Sequence, residues 1–284
     1  MILIYVAVLI LSSFGIIGNS AIIYIFPKLK KISNRKSITL LASFDILSIL
    51  PSIAYAAMMI RGFDIYLISP LSCIILQYYS YVMPIFSVWT LTDISIQRTL
   101  TIKKINQNNI LIYLRVIVAV IILGSNSMVF QLVGLAQVKV NNQTNLTVTI
   151  CTHFDKIGEI ATTTLYVVLL LIIPAIIITV CSIIMIKQIK NLIQMNLILN
   201  QSKFNKSRIK KENKISLTIL LLNLGFIVFN SPFCVVIFLF DHTDFWYKFT
   251  YLVGFIQFNF NFILYILIYK DFRDYVSYLF LDQT

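Results

Sequence analysis

The chain has 284 residues, 59% of them hydrophobic and 12% charged, with a mean hydropathy of +0.89. Soluble domains run nearer about 45–50% apolar and about 25% charged, so composition excludes a globule in water and points to an integral membrane protein. A net charge of +12 would suggest nucleic acid in a soluble protein, but here the basic residues gather in alternate connectors of a membrane chain, and no nucleic-acid partner is expected.

Seven apolar segments follow one another at about 2–26, 38–60, 71–102, 110–135, 160–187, 214–240 and 247–269, and an amphipathic stretch at about 271–281 closes the chain. They lack the two-residue alternation of barrel strands, and in lipid only helices and closed barrels satisfy the backbone, so the segments are read as helices. The first begins at residue 1 with neither a basic start nor a small-residue cleavage site, and is read as a span with a very short outer tail rather than a cleaved signal. Of the 23 lysines and arginines, all but Arg61, Lys139, Lys156 and Lys248 lie in the connectors after segments one, three and five or in the tail. The positive-inside rule then places the N-terminus outside and the C-terminus in the cytosol. The loop after segment four agrees, because it carries acceptor sequons at Asn142 and Asn145, and sugar is added on the lumenal side. Asn200 and Asn205 head further sequons in a basic loop, and these are read as chance matches. Around Asn142 and Asn145 the flanks 137–140 and 146–150 alternate as a two-stranded hairpin does, one that would sit over the outer mouth of the bundle.

Segment three organises the rest. From Cys73 to Arg98 a helix covers roughly 37 Å, enough to cross a hydrocarbon core of about 30 Å and place these two residues on opposite sides. Cys73 and Cys151 both fall at the oxidising outer face, whereas Cys181 and Cys234 lie within spans. A Cys73–Cys151 disulfide would close a loop of about eighty residues, contributing roughly 4–5 kcal/mol in the chain-entropy model; two unpaired thiols are the alternative.

In order along the chain come Gly18 and Asn19; Leu41, Ala42 and Asp45; Ser87, Leu91 and Arg98; Pro174; Phe226 and Pro232; Asn261 and Tyr265; and Phe272. In this pattern the chain resembles the rhodopsin-like family of G-protein-coupled receptors over nearly its whole length. The resemblance implies an all-α membrane protein: a single seven-transmembrane bundle over 1–284, with a short amphipathic cytosolic helix and a β-hairpin outer loop, in the plasma membrane. It implies an extracellular ligand that favours outward movement of the cytosolic end of segment six, opening a cleft for a heterotrimeric G protein. Pro232 suits that motion, since a proline removes a helix hydrogen bond and kinks the segment.

Asp45 is an acid in mid-membrane, costly unless it faces partners or water inside the bundle. The resemblance places Ser87 and Asn261 beside it, an oxygen-lined pocket suited to a sodium ion or a water cluster. A protonated Asp45 bonded to its neighbours is the alternative, and beyond that sodium ion no cofactor is expected. Arg98 reads as an arginine snorkelling at a helix end or, as the resemblance implies, as the partner of Glu212 in a resting-state latch between segments three and six. The departures from the family pattern are Gln97 in place of the acid beside the arginine, Asn230 in place of a tryptophan, Phe262 in place of a proline, and a fourth segment without tryptophan. Asp93 is a further buried acid with no family counterpart.

Ser80 stands where amine receptors of the family carry an aspartate, and segment seven has no lysine for retinal. The hairpin loop resembles that of peptide receptors. Asp241 and Asp244, beside His242, would attract a basic peptide or form a merely solvated loop. Tyr78, Tyr79 and Tyr81 are candidates for the pocket wall, or for packing alone. A neuropeptide ligand is the reading, with a small-molecule or lipid ligand as its alternative. A transporter would be expected to show internal repeats or glycine-broken spans, and the chain has only 8 glycines. No span offers a Ser/His pair or a histidine metal site, so enzymatic activity is not expected.

Overall fold

The computed structural model describes residues 2–29, 34–102, 133–141, 146–153, 156–199, 203–239 and 245–281. Most of segment four lies outside the described residues, as do Asn142, Asn145, Asp241 and Asp244. The helices are α1 (Ile2–Ile25), α2 (Arg35–Ile60), α3 (Pro70–Ile102), α4 (Lys156–Val167), α5 (Ile173–Leu199), α6 (Lys203–Leu239), α7 (Phe245–Ile268) and α8 (Lys270–Leu281). Strands β1 (Val133–Asn141) and β2 (Leu146–His153) precede α4 and pair antiparallel. Six helices among the described residues are long and apolar enough to cross a bilayer.

The packing closes a ring: α1 lies against α2 and α7, α2 against α3, α3 against α5 and α6, and α6 against α7. The main core runs from Ile22 and Ile25 through Ile85, Ile94, Ile178 and Phe226 to Tyr265 and Phe272. Many leucines and isoleucines remain exposed on the outside, as expected of a surface that lipid covers. Three helices extend past their apolar runs: α2 begins at Arg35, α5 reaches Leu199 and α6 begins at Lys203. Lysine, glutamine and glutamate are good helix formers, so the helix outlasts the hydrophobicity that marks it in sequence. At the other boundary Val133–Leu135, which hydropathy assigns to the end of segment four, belongs to β1, where Leu135 pairs with Cys151. Cys151 is bonded to Cys73 with their Cα atoms 5.7 Å apart, which anchors the strand pair to the start of α3.

The link between α4 and α5 is a π-helical turn, Val168–Ile172. Its cause is local. The Ile173 amide reaches back to the Val168 carbonyl, so the next donor in that ladder belongs to residue 174, a proline with no N–H to give. The Leu169 carbonyl left over accepts from Trp89 Nε1 at 3.0 Å, a bond from α3 into the gap. At the far end of the chain α8 is pinned by Phe272, which is wholly buried against Phe26, Phe262 and Tyr265. Lys28 Nζ adds a bond to the Tyr275 hydroxyl at 3.1 Å and lies 3.3 Å from the centre of the Tyr24 ring.

Trp89→Phe keeps the ring but removes the donor, leaving a carbonyl unpaired where no water competes. It is expected to destabilise the purified protein by about 1–3 kcal/mol, read as a lowered midpoint in thermal unfolding.

Candidate functional site

One end of the bundle carries the disulfide and the other carries Arg98; between them the interior has three levels. At the disulfide end is a cavity of about 740 Å³. Its walls are tyrosines from several helices: Tyr5, Tyr55 and Tyr66 on one side, Tyr81 and Tyr166 in edge contact at 4.8 Å, and Tyr247 and Tyr251 around Phe233. A phenol combines a broad apolar face with a polar tip, so the wall is aromatic yet hydrogen-bonding. Tyr251 shares a bond with Ser52 at 3.0 Å, and the Tyr66 hydroxyl stands 3.5 Å from Ser80. Burial raises the pKa of Tyr66, in the short turn before α3, so its phenol stays protonated at neutral pH. Glu159 and Lys248, from the first turns of α4 and α7, also line the cavity.

The lining residues furthest from the disulfide end are Val8, Ser48, Pro84, Leu170, Asn230 and Phe258, and they make the floor. Asn230 Nδ2 donates to the Phe226 carbonyl at 2.9 Å and to Gln257 Oε1 across the contact between α6 and α7.

One helical turn below that floor Asp45 is fully buried. Ser87 donates to its Oδ1, and Asn261 Nδ2 donates to its Oδ2 at 2.7 Å, so three helices meet at one carboxyl group. Both donors are neutral, and no lysine or arginine among the described residues pairs with it. A carboxylate held only by neutral groups must either take a proton or share the site with a cation. The oxygens at hand are those of the Asp45 carboxylate and the Ser87 hydroxyl, a hard donor set that fits an alkali or alkaline-earth ion and not a soft metal.

The third level is a set of polar ties towards the Arg98 end. Ser95 of α3 donates to Asn223 Oδ1 of α6 at 3.0 Å, and Asn223 Nδ2 donates in turn to Ser182 of α5 at 3.0 Å. One turn beyond Ser95, Arg98 is 1% exposed and its Nε donates to Ser216 of α6 at 3.1 Å. Gln97 points the other way, donating to Asp93 Oδ2 at 2.6 Å and to Ser37 of α2 at 3.2 Å.

No protein-family model matches the sequence, and no curated protein matches it. Among solved structures, squid rhodopsin superposes with a TM-score of 0.75 at 16% identity, covering 98% of this chain and 84% of that one. The chain has the fold of rhodopsin. Identity at that level establishes architecture and leaves the chemistry to the residues.

On this rhodopsin fold, Asp45, Ser87 and Asn261 come together in one cluster. Tyr81 lines the cavity, whereas Tyr78 packs against the main core and Tyr79 is not among the lining residues. Arg98 does reach α6, through Ser216; Glu212 lies one turn earlier on that helix, and its side chain is outside the described residues. Phe226 and Tyr265 are both buried in the core. Sequence reasoning missed Ser216, Asn223 and Gln257. Each is a polar residue inside an apolar run, the one signal that would have found them. Asp93, left without a role by the sequence, is the acceptor that turns Gln97 towards α2.

Asp45→Asn keeps an acceptor and a donor at the site without the charge, and is expected to retain wild-type thermal stability in sodium-free buffer. Asp45→Leu strands Ser87 and Asn261 and is expected to lose about 1–3 kcal/mol in the same unfolding assay.

Proposed function

We propose that the chain is a G-protein-coupled receptor of the plasma membrane, with its N-terminus and disulfide end outside and its Arg98 end in the cytosol. The observation that carries the reading is Arg98 itself. A guanidinium buried to 1% at the end of a membrane helix, donating through Nε to Ser216 of the proline-bearing helix α6, is a strong charge in a contact that a small motion opens. The rhodopsin fold supports it, as do the skewed basic residues and the paired sequons at Asn142 and Asn145.

In this reading the ligand enters from the disulfide end, with the β1–β2 hairpin over the mouth. The ligand stabilises the conformation in which the Arg98 end of α6 swings out, and needs only a higher affinity for that conformation. The outward swing parts Arg98 from Ser216 and Ser95 from Asn223, and the exposed arginine and neighbouring carbonyls receive the G protein. Glu212 would add an ion pair to the resting contact, worth about 1 kcal/mol if partly exposed and so easily released. α8 would lie along the cytosolic membrane surface, its apolar side in the bundle. The ligand we favour is a neuropeptide, drawn by Asp241 and Asp244. A small molecule is the second reading, because a cavity of about 740 Å³ falls within the usual range of about 300–1,000 Å³ for such ligands.

Sodium belongs to the resting receptor in this reading. Asp45, Ser87 and Asn261 would hold it, and a bound ion supplies the positive charge that the cluster lacks. Purified wild type is expected to be more heat-stable in sodium chloride than in N-methylglucamine chloride, by about 1.4 kcal/mol at ten times Kd. Asp45→Asn is expected to show no difference between the two salts; an equal sodium effect in the variant excludes the site.

The decisive experiment for the receptor is nucleotide exchange on a panel of G proteins, with the chain in vesicles and a peptide library as the ligand source. Exchange above the empty-vesicle level is expected for at least one pairing, and Arg98→Ala is expected to reduce it to background while leaving cell-surface expression intact.

A further inference from the structure

The cavity floor has a hydrogen-bonding polarity that its composition alone does not reveal. Asn230 lines the cavity, and its amide nitrogen is committed to two acceptors, the Phe226 carbonyl one turn earlier and Gln257 Oε1 on α7. An amide carries two N–H donors and one acceptor oxygen, so the atom Asn230 has left for the cavity is Oδ1. Gln257 is 6% exposed, which holds the amide in that orientation from a packed position. The floor therefore presents an acceptor. The wall carries one residue of each sign, Glu159 and Lys248, and its tyrosine rings favour an aromatic or apolar body.

We infer that Asn230 sets the ligand chemistry of this cavity: the group that reaches the floor is an N–H donor carried on an aromatic or apolar end, accepted by Asn230 Oδ1. Gln257 acts as the positioning residue that turns the amide. The inference rests on the cavity being the ligand site of the proposed receptor, and it explains why a polar residue stands at a place on α6 surrounded by Phe229 and Phe233. A ligand that displaces water from this acceptor without offering a donor is penalised, and an anionic end would meet the carbonyl oxygen with repulsion.

The test uses the purified full-length chain in detergent with benzylamine, benzamide, ethylbenzene and benzoate as probes, their binding read by saturation-transfer NMR. Benzylamine and benzamide are expected to bind at least tenfold more tightly than ethylbenzene and benzoate. Asn230→Leu is expected to abolish that preference, and Asn230→Asp, which keeps an acceptor, to preserve it for benzylamine. Asn230→Ala replaces the leucine variant should that one fail to fold, as judged by thermal unfolding. Equal binding of all four probes, no binding to wild type, or a preference that survives loss of Asn230 overturns the inference. So does a preference for benzylamine alone that disappears in Glu159→Gln, since this assigns selection to the wall charge. No G protein is needed, so the inference can fail while nucleotide exchange is found, or stand where exchange is not.

Discussion

A hydroxyl or amide inside a bilayer has no water to fall back on, and the arrangement of this bundle follows from where such groups find partners. Many serines and threonines among the described residues settle the matter locally, bonding the carbonyl four residues back, as Thr92, Thr99 and Thr218 do. Other polar groups reach across to another helix, among them Asn19 to the Phe258 carbonyl, Asn259 to the Leu11 carbonyl, Ser87 and Asn261 to Asp45, and Asn223 between Ser95 and Ser182. Lipid is as apolar as the leucines it touches, so burial alone gives the helices little reason to choose one mutual rotation over another. These bonds supply it, each contributing on the order of 1 kcal/mol.

The residues in which the chain departs from the rhodopsin-like pattern have partners across the helices. Phe262, in place of a proline, lies so close to Gly18 that a Cβ there would stand 2.7 Å from the phenylalanine Cγ. The small residue of α1 and the large one of α7 are therefore a fitted pair, and a larger residue at Gly18 requires Phe262 to shift. Gln97 in place of an acid finds Asp93 one turn back and Ser37 on α2, so its amide is turned towards α2 with a carboxylate beside it. Asn230 has its complement in Gln257. At these positions the contacts between helices differ from that pattern while the fold is kept.

Hydrophobic run length made the spans legible, and depth sorted the cysteines, because both depend on position along one axis. The Asp45 cluster was legible through the family pattern, which carries three-dimensional neighbours that spacing does not. Rotation about the helix axis was harder to read. Tyr78, Tyr79 and Tyr81 are all one or two turns from Cys73, yet only Tyr81 lines the cavity, since adjacent residues on a helix point about 100° apart and a uniformly apolar segment gives no phase. Ser216 and Gln257 escaped notice for the same reason. The boundary at Val133 was misplaced because hydropathy does not distinguish an apolar strand from the end of a span.

The turn at Val168–Ile172 also changes how this segment is to be compared with others. A π turn holds one residue more than the α-helix it interrupts, so the faces of α4 and α5 are offset by about one residue's rotation. Tyr166 faces the cavity in one phase and Ser182 meets Asn223 in the other. A relative without the turn would need one residue fewer between these positions to keep both faces inward. In an alignment that difference would appear as a single-residue gap in the middle of a membrane helix, where a gap would ordinarily be taken for an error.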